Sequence, residues 1–257
     1  MVDTHAHIFT QEFKDDLSKV VLRAYNAGVK KILLPNIDES SITDLKSSVL
    51  QFPDLFIPMM GLHPTSVTVD WKQQLDIIYN ELNINDYIAV GEIGIDLYWD
   101  KSLQKEQIAV FEEQLKWSTE KNLPVSIHFR NAAKEVINSI KRIGEGSLRG
   151  VFHSFGGSKD ELHDILQLSN FMIGVNGVVT YKNSRMTETL IHCPKDRLVM
   201  ETDSPYLTPV PYRGKRNESS YLSFIVNRIS EIWEMEVIVV NRLINLNVNN
   251  MFGLNIV

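Results

Sequence analysis

The sequence predicts a (β/α)8 barrel, an α/β fold with a metal site at the C-terminal rim of its strands. Three observations predict it. Eight short apolar or β-branched runs recur along the chain, apolar on both faces as buried parallel strands are. They lie a few tens of residues apart, room for one crossover helix each time. And five of the seven histidines fall at the carboxyl ends of these runs, the rim on which barrel enzymes build their sites. An open doubly wound sheet is the competing arrangement.

The first run is the short apolar start, which leads into Asp3-Thr4-His5-Ala6-His7. In extended chain, residues i and i+2 share a face, so both imidazoles can reach one point, with Asp3 on the same side to orient a ligand. Lys31-Ile32-Leu33-Leu34 is the second run. Phe56-Ile57-Pro58-Met59-Met60 is the third and delivers Gly61-Leu62-His63-Pro64. Tyr87-Ile88-Ala89-Val90, the fourth, is followed by Gly91-Glu92-Ile93-Gly94-Ile95-Asp96. Val125-Ser126-Ile127 gives His128-Phe129-Arg130, and Arg149-Gly150-Val151-Phe152 gives His153-Ser154-Phe155. Phe171 to Val175 is the seventh run; Leu198-Val199-Met200, the eighth, ends in Glu201-Thr202-Asp203-Ser204-Pro205. Between the runs lie helical patterns. Ile108, Phe111 and Leu115 make an apolar stripe before Pro124, and Ser41-x-x-Asp44 and Ser158-x-x-Glu161 have the form of capping boxes.

Bulk properties bound the possibilities. A chain of 257 residues with 44% hydrophobic and 23% charged residues can bury a large core, and residues 1–257 are expected to form one domain. No apolar run approaches the roughly 20 residues of a membrane-spanning helix, and with ligand candidates from position 5 no leader is expected. Cys193 is the only cysteine, so no internal disulfide forms and a reducing, cytoplasmic setting is expected. The net charge of −6 argues against general coating of nucleic acid, although clustered divalent metals can make one cleft locally positive.

The rim residues carry the chemistry. Glu92 sits between Gly91 and Gly94, where backbone room has been made for a close approach. His128 and His153 stand on adjacent predicted strands. Four histidines (His5, His7, His128, His153) with Glu92 and Asp203 exceed what one tetrahedral ion needs, and fit two ions sharing a carboxylate better. Mixed nitrogen and oxygen ligands without thiolate suit Zn, Mn, Fe, Ni or Co, with Mg at an oxygen-rich position. Asp203 then serves as ligand and proton acceptor, although a turn before Ser204-Pro205 would also explain it. His63 is either a catalytic group or a loop cap. His163, His192 and Cys193 fit structural or solvated positions. For phosphate, Lys182, Arg213 and Arg130 are the candidate donors. Tyr98, Trp99, Tyr206 and Tyr212 are candidates to stack on unpaired bases.

Taken together, these motifs resemble the TatD family of metal-dependent deoxyribonucleases, among the amidohydrolase-like barrels. The matching segments are Asp3-x-His5-x-His7, Gly61-x-His63-Pro64, Gly91 to Asp96, Pro124 to Arg130, His153-x-Phe155 and Glu201-x-Asp203-Ser-Pro205, with a closing Asn247…Met251-Phe252-Gly253-Leu254. The resemblance implies that His5, His7, Glu92 and Asp203 hold one metal and that Glu92 bridges to a second held by His128 and His153. It also implies hydrolysis of DNA phosphodiester bonds, typically 3′-to-5′ on single strands and sometimes at abasic sites. Asn131, Ser154 and Ser219 depart from the family pattern, where Asp, Cys and Pro are usual; none of them is a ligand. The expected partner is DNA, as single strands or 3′ ends, with no membrane; the chain is expected as a monomer or weak homo-oligomer. Two other functions compete: a two-metal hydrolase of an amide, ester or lactone such as a D-aminoacyl-tRNA deacylase, and a metal-bound scaffold without catalysis. Glu92, where many amidohydrolases carry a carbamylated lysine, favours the phosphodiesterase.

Overall fold

A computed structural model describes residues 1–256, so the last residue of the expected domain, Val257, lies outside the described residues. The strands are β1 (Val2–Asp3), β2 (Lys31–Pro35), β3 (Phe56–Met59), β4 (Val90–Gly94), β5 (Val125–His128), β6 (Gly150–Phe152), β7 (Phe171–Val175) and β8 (Leu198–Met200). They pair in parallel, in chain order, as one arc of three and one of five. Both seams between the arcs are bonded. Met60 bridges Val90 at one. At the other, Thr4 N–H donates to the Met200 carbonyl at 3.1 Å and Asp203 N–H to that of His5 at 2.9 Å. Closure into a barrel rules out the open sheet, whose outer strands would stay unpaired.

The crossovers are α1 (Leu17–Asn26), α2 (Ile42–Gln51), α3 (Trp71–Ile84), α4 (Gln104–Lys121), α5 (Ala133–Ile143), α6 (Lys159–Leu166) and α7 (Met186–Leu190); α8 (Leu222–Trp233) and α9 (Val237–Phe252) follow β8. The stripe on α4 faces inward, Phe111 and Leu115 fully buried and Ile108 half-buried. Ser158 and Glu161 form the expected reciprocal cap of α6. Ser41 and Asp44 do not form one. The box lies a turn earlier, where the Asp38 carboxylate accepts from the backbone N–H groups of Ser40 and Ser41, and the Ser41 hydroxyl serves the Asp38 N–H.

Side chains along β2 alternate: Ile32 and Leu34 pack outward against the helices, Leu33 inward. The inward set, Val2, Leu33, Met59, Ala89, Val151, Met172 and Val199, is joined by Val248, Met251 and Phe252 of α9, which close that end of the barrel. Asn247 fixes the helix there by donating to the carbonyls of Lys195 and Leu198, both at 2.8 Å, and Gly253, at φ 70°, ends it. The closing motif is thus a plug.

Two expected boundaries shift. The fourth strand runs from Val90 to Gly94 rather than from Tyr87 to Val90, so Glu92 lies within it. Gly91 and Gly94 are the points of close approach that their place beside Glu92 suggests. A Cβ on Gly91 would lie 2.8 Å from that of Ser126, and one on Gly94, at φ 148°, would collide with the His128 carbonyl. Strand β1 ends at Asp3, which leaves His5 and His7 on the segment beyond it.

Candidate metal centre

Glu92 is 2% exposed, and its two carboxylate oxygens face different groups of ligand atoms. Oε2 lies 3.1 Å from His5 Nε2 and 3.3 Å from His7 Nε2. Those two nitrogens are 3.2 Å apart, and Asp203 Oδ1 stands 4.0 and 3.8 Å from them. Oε1 lies 3.0 Å from His128 Nδ1, 3.3 Å from His63 Nε2 and 3.4 Å from His153 Nε2. The six sequence-chosen metal candidates and His63 therefore converge. His5, Glu92 and His153, then His5, His7 and Asp203, then His63, Glu92 and His128 each bring three donor atoms within 4.8 Å of one another.

The outward ring nitrogens of three of these imidazoles have oxygen partners. His153 Nδ1 pairs with Glu201 Oε1 at 3.0 Å, His128 Nε2 with Asp96 Oδ2 at 2.8 Å and His5 Nδ1 with Ser126 Oγ at 3.0 Å. An oxygen acceptor on the outer nitrogen leaves the lone pair of the inner one aimed at the centre, the arrangement of metal-binding histidines. This donor set of buried imidazoles and carboxylates, with no thiolate, fits divalent first-row ions. His63 is different. Its Nδ1 accepts from Thr65 N–H at 3.2 Å, capping the turn at Pro64–Ser66, so its proton sits on Nε2 and points at Glu92. The loop cap and the site residue are one and the same.

Neighbours set the charges. Burial alone would push Glu92 up, but the imidazoles of His63, His5 and His153 hold it well below the usual carboxylate range. Burial pushes His5 well down and lowers His63 as well. Against burial, the Glu201 and Glu92 carboxylates raise His153 to about 10, and hydrogen bonds to Asp96 and Glu92 raise His128, so each would give up its inner proton on binding an ion. Burial lifts Asp203 to about 6, against the pull of His153 and His7.

Asp203 is held in the left-handed region at φ 58°, which Asp tolerates better than most residues. Asp3 orients no imidazole. It ties the end of β1 to the segment after β8, accepting from Thr202 N–H at 2.9 Å and from the hydroxyls of Thr202 and Ser219 at 2.6 Å. Ser219 thus has a defined task where the family usually has Pro.

The sequence alone gives no role to Glu201 or Asp96, which stand inside the motifs Glu201-Thr-Asp203 and Gly94-Ile95-Asp96. Their signal was position at a strand end; their outward role shows only in the fold. Gly174 of β7 has a similar part, since a Cβ there would collide with the Glu201 carboxylate.

The centre opens into a cleft of about 810 Å³ lined by His7, His63, Glu92, Asp96, Trp99, His128, Arg130, Asn131, His153 and Asp203, among others. Of the candidate substrate contacts, Arg130, Trp99 and Tyr206 line it. Tyr212 instead stacks on Tyr221 at 4.7 Å and packs edge-on to Phe224, Arg213 lies over the Tyr181 ring at 4.1 Å, and Lys182 is exposed. The segment after β8 lines the cleft with Tyr206 and Leu207 and then turns Tyr212 and Arg213 onto neighbouring rings.

A closed parallel barrel with convergent histidines and carboxylates at its carboxyl rim is the architecture of a metal-dependent hydrolase. Residues 2–253 match the family described as TatD related DNase. The chain belongs to that family. It is 33% identical over 257 residues to the uncharacterized metal-dependent hydrolase YabD of Bacillus subtilis, covering 99% of this chain and 100% of that one. It is 30% identical to the 3′-5′ ssDNA/RNA exonuclease TatD of Pectobacterium carotovorum, covering 92% of each. Among solved structures, YJJV, a TatD homolog from Escherichia coli K12, superposes with a TM-score of 0.89 at 26% identity, over 99% of this chain and 98% of that one.

Proposed function

We propose that this hydrolase removes nucleotides from the 3′ ends of single-stranded DNA with two divalent ions bound. The observation that carries the reading is the two-faced Glu92, with a separate set of nitrogens within 3.4 Å of each oxygen. His5, His7, Glu92 and Asp203 would hold one ion, and Glu92, His128 and His153 the other, as Zn, Mn, Fe, Ni, Co or Mg. Bound there, such ions make a nucleophile available at neutral pH and offset charge on the attacking and leaving oxygens of a phosphodiester. The protein groups do the rest. Asp203, whose carboxylate stands 4.0 and 3.8 Å from the His5 and His7 nitrogens, is the group placed to take a proton from the attacking water. His63 lines the cleft, and its Nε2–H, which points at Glu92 here, would be free to donate to a phosphate oxygen once ions occupied the Glu92 oxygens. Arg130 is the only Lys or Arg among the cleft-lining residues and the natural partner for the adjoining phosphate. The name of the Pectobacterium relative, an exonuclease of single-stranded DNA and RNA, supports the same substrate class.

The test is metal-reconstituted protein and its Asp203→Asn variant on end-labelled single-stranded and duplex DNA, with chelator controls and bound metal quantified. Metal-dependent shortening from the 3′ end of single strands, lost in the variant, is expected. Two bound ions with no cleavage of either DNA would overturn the nuclease and direct attention to ester, lactone and aminoacyl-tRNA substrates.

A further inference from the structure

Beside the metal centre, Tyr98, Trp99 and Arg130 form one assembly. The Arg130 guanidinium lies 3.7 Å from the centre of the Tyr98 ring and 5.2 Å from that of Trp99, and the two rings meet edge to face at 5.0 Å and 88°. Packing into the core would bury such rings, as it does Trp117 of α4 and Trp233 of α8 at 5% and 8% exposure. Trp99 is 71% exposed, lines the cleft and presents an open face. Its position is fixed from below. Asp96 Oδ1 accepts from the N–H groups of Tyr98 and Trp99 at 2.9 and 3.2 Å, while Oδ2 of the same carboxylate holds His128 at 2.8 Å. The Leu97 N–H donates to the Arg130 carbonyl at 2.9 Å, locking the loop to the end of β5. Arg130 pairs with no carboxylate among the described residues, which leaves its N–H groups for an anion.

We infer that Trp99, propped by Tyr98 and Arg130, is a stacking station for one unpaired nucleobase, with Arg130 taking the neighbouring phosphate. The inference rests on the nuclease reading and adds to it the part of the substrate that is recognised. A base still paired in a duplex keeps its face covered, so the station selects single strands. Stacking on an aromatic ring is tolerant of sequence, so it selects no particular base.

The experiment uses metal-loaded protein and hydrolysis-resistant phosphorothioate oligothymidylate, against an oligomer of equal length carrying abasic tetrahydrofuran residues, with affinity read by anisotropy. Wild type is expected to bind the base-bearing oligomer roughly tenfold more tightly than the abasic one. Trp99→Ala should abolish that preference and leave abasic affinity unchanged, and Trp99→Phe should restore most of it. Arg130→Lys should weaken both oligomers. Intrinsic fluorescence gives an independent readout, with quenching by the base-bearing oligomer in wild type and not in Trp99→Phe. A preference that survives Trp99→Ala, or an equal loss on both oligomers, would overturn the station while leaving the nuclease standing. No affinity of wild type for either oligomer would overturn both.

Discussion

The two ends of the barrel are built from the same eight strands and opposite chemistry. At the carboxyl ends, imidazoles and carboxylates of His5, Glu92, His153 and Glu201 are buried with at most 4% exposure. Charges taken out of water cost several kcal/mol apiece unless well paired, so this end detracts from stability or barely contributes to it. At the amino ends, Val248, Met251 and Phe252 of α9 fill the mouth against Leu33, Met59 and Val199 without an ionised group. Each such side chain contributes about 1.5–3 kcal/mol by leaving water. Function and stability are thus separated along one axis, and each end can be perturbed almost alone.

The sharpest break is at Glu92. Glu92→Gln keeps the shape but removes the charge that faces both ligand groups. Activity should fall by about 10³-fold or more, since several kcal/mol of transition-state stabilisation are at stake, and bound metal should fall with it. The urea midpoint should hardly move. Strong destabilisation with metal retained would show that the rim holds the fold together after all.

The converse substitution is Phe252→Ala. Removing this ring from the plug should cost about 3–5 kcal/mol, read as a lower urea midpoint, while kcat per folded molecule and metal content stay within about twofold. A matching loss of kcat would mean that the two ends are coupled.

The smallest effect sharpens where the rim stops. Asp16 holds Arg216, of the segment after β8, through two hydrogen bonds of 2.8 Å, and also reaches Arg23 of α1 at 3.4 Å. The Arg216 hydrogen bonds hold its carboxyl below the usual range, so the tie is complete above about pH 4 and is lost as pH falls through the lowered value. Asp16→Asn should cost about 1 kcal/mol or less at pH 7, and progressively less as the pH falls below about 4, with activity unchanged. Thermal melts at pH 7 and below about pH 4 check the sign.

How much of this could be read beforehand differs by residue. His5, His7, His128, His153 and Asp203 were legible because each follows an apolar run, and a barrel sends such positions to one rim. Glu92 was legible as a residue, with the glycines beside it marking a close approach, but its place within the strand was not, because the apolar run from Tyr87 to Val90 ends before it. Trp99 was only one candidate among several aromatics, and Tyr212, its equal on paper, stacks on Tyr221 instead. Loop aromatics carry no periodicity, so nothing local says which way they turn.

By itself the sequence determined the barrel, the family and the chemical identity of the centre. Those depend on residue type and on periodicity along the chain, and both are written in order. Only the tertiary structure decided that Glu201 and Asp96 orient His153 and His128, and that Arg130 alone of the candidate cations reaches the cleft. Each of these depends on which atoms meet across distances of up to 48 residues, such as His153 and Glu201. Such meetings are fixed by the closure of the barrel and by no local signal.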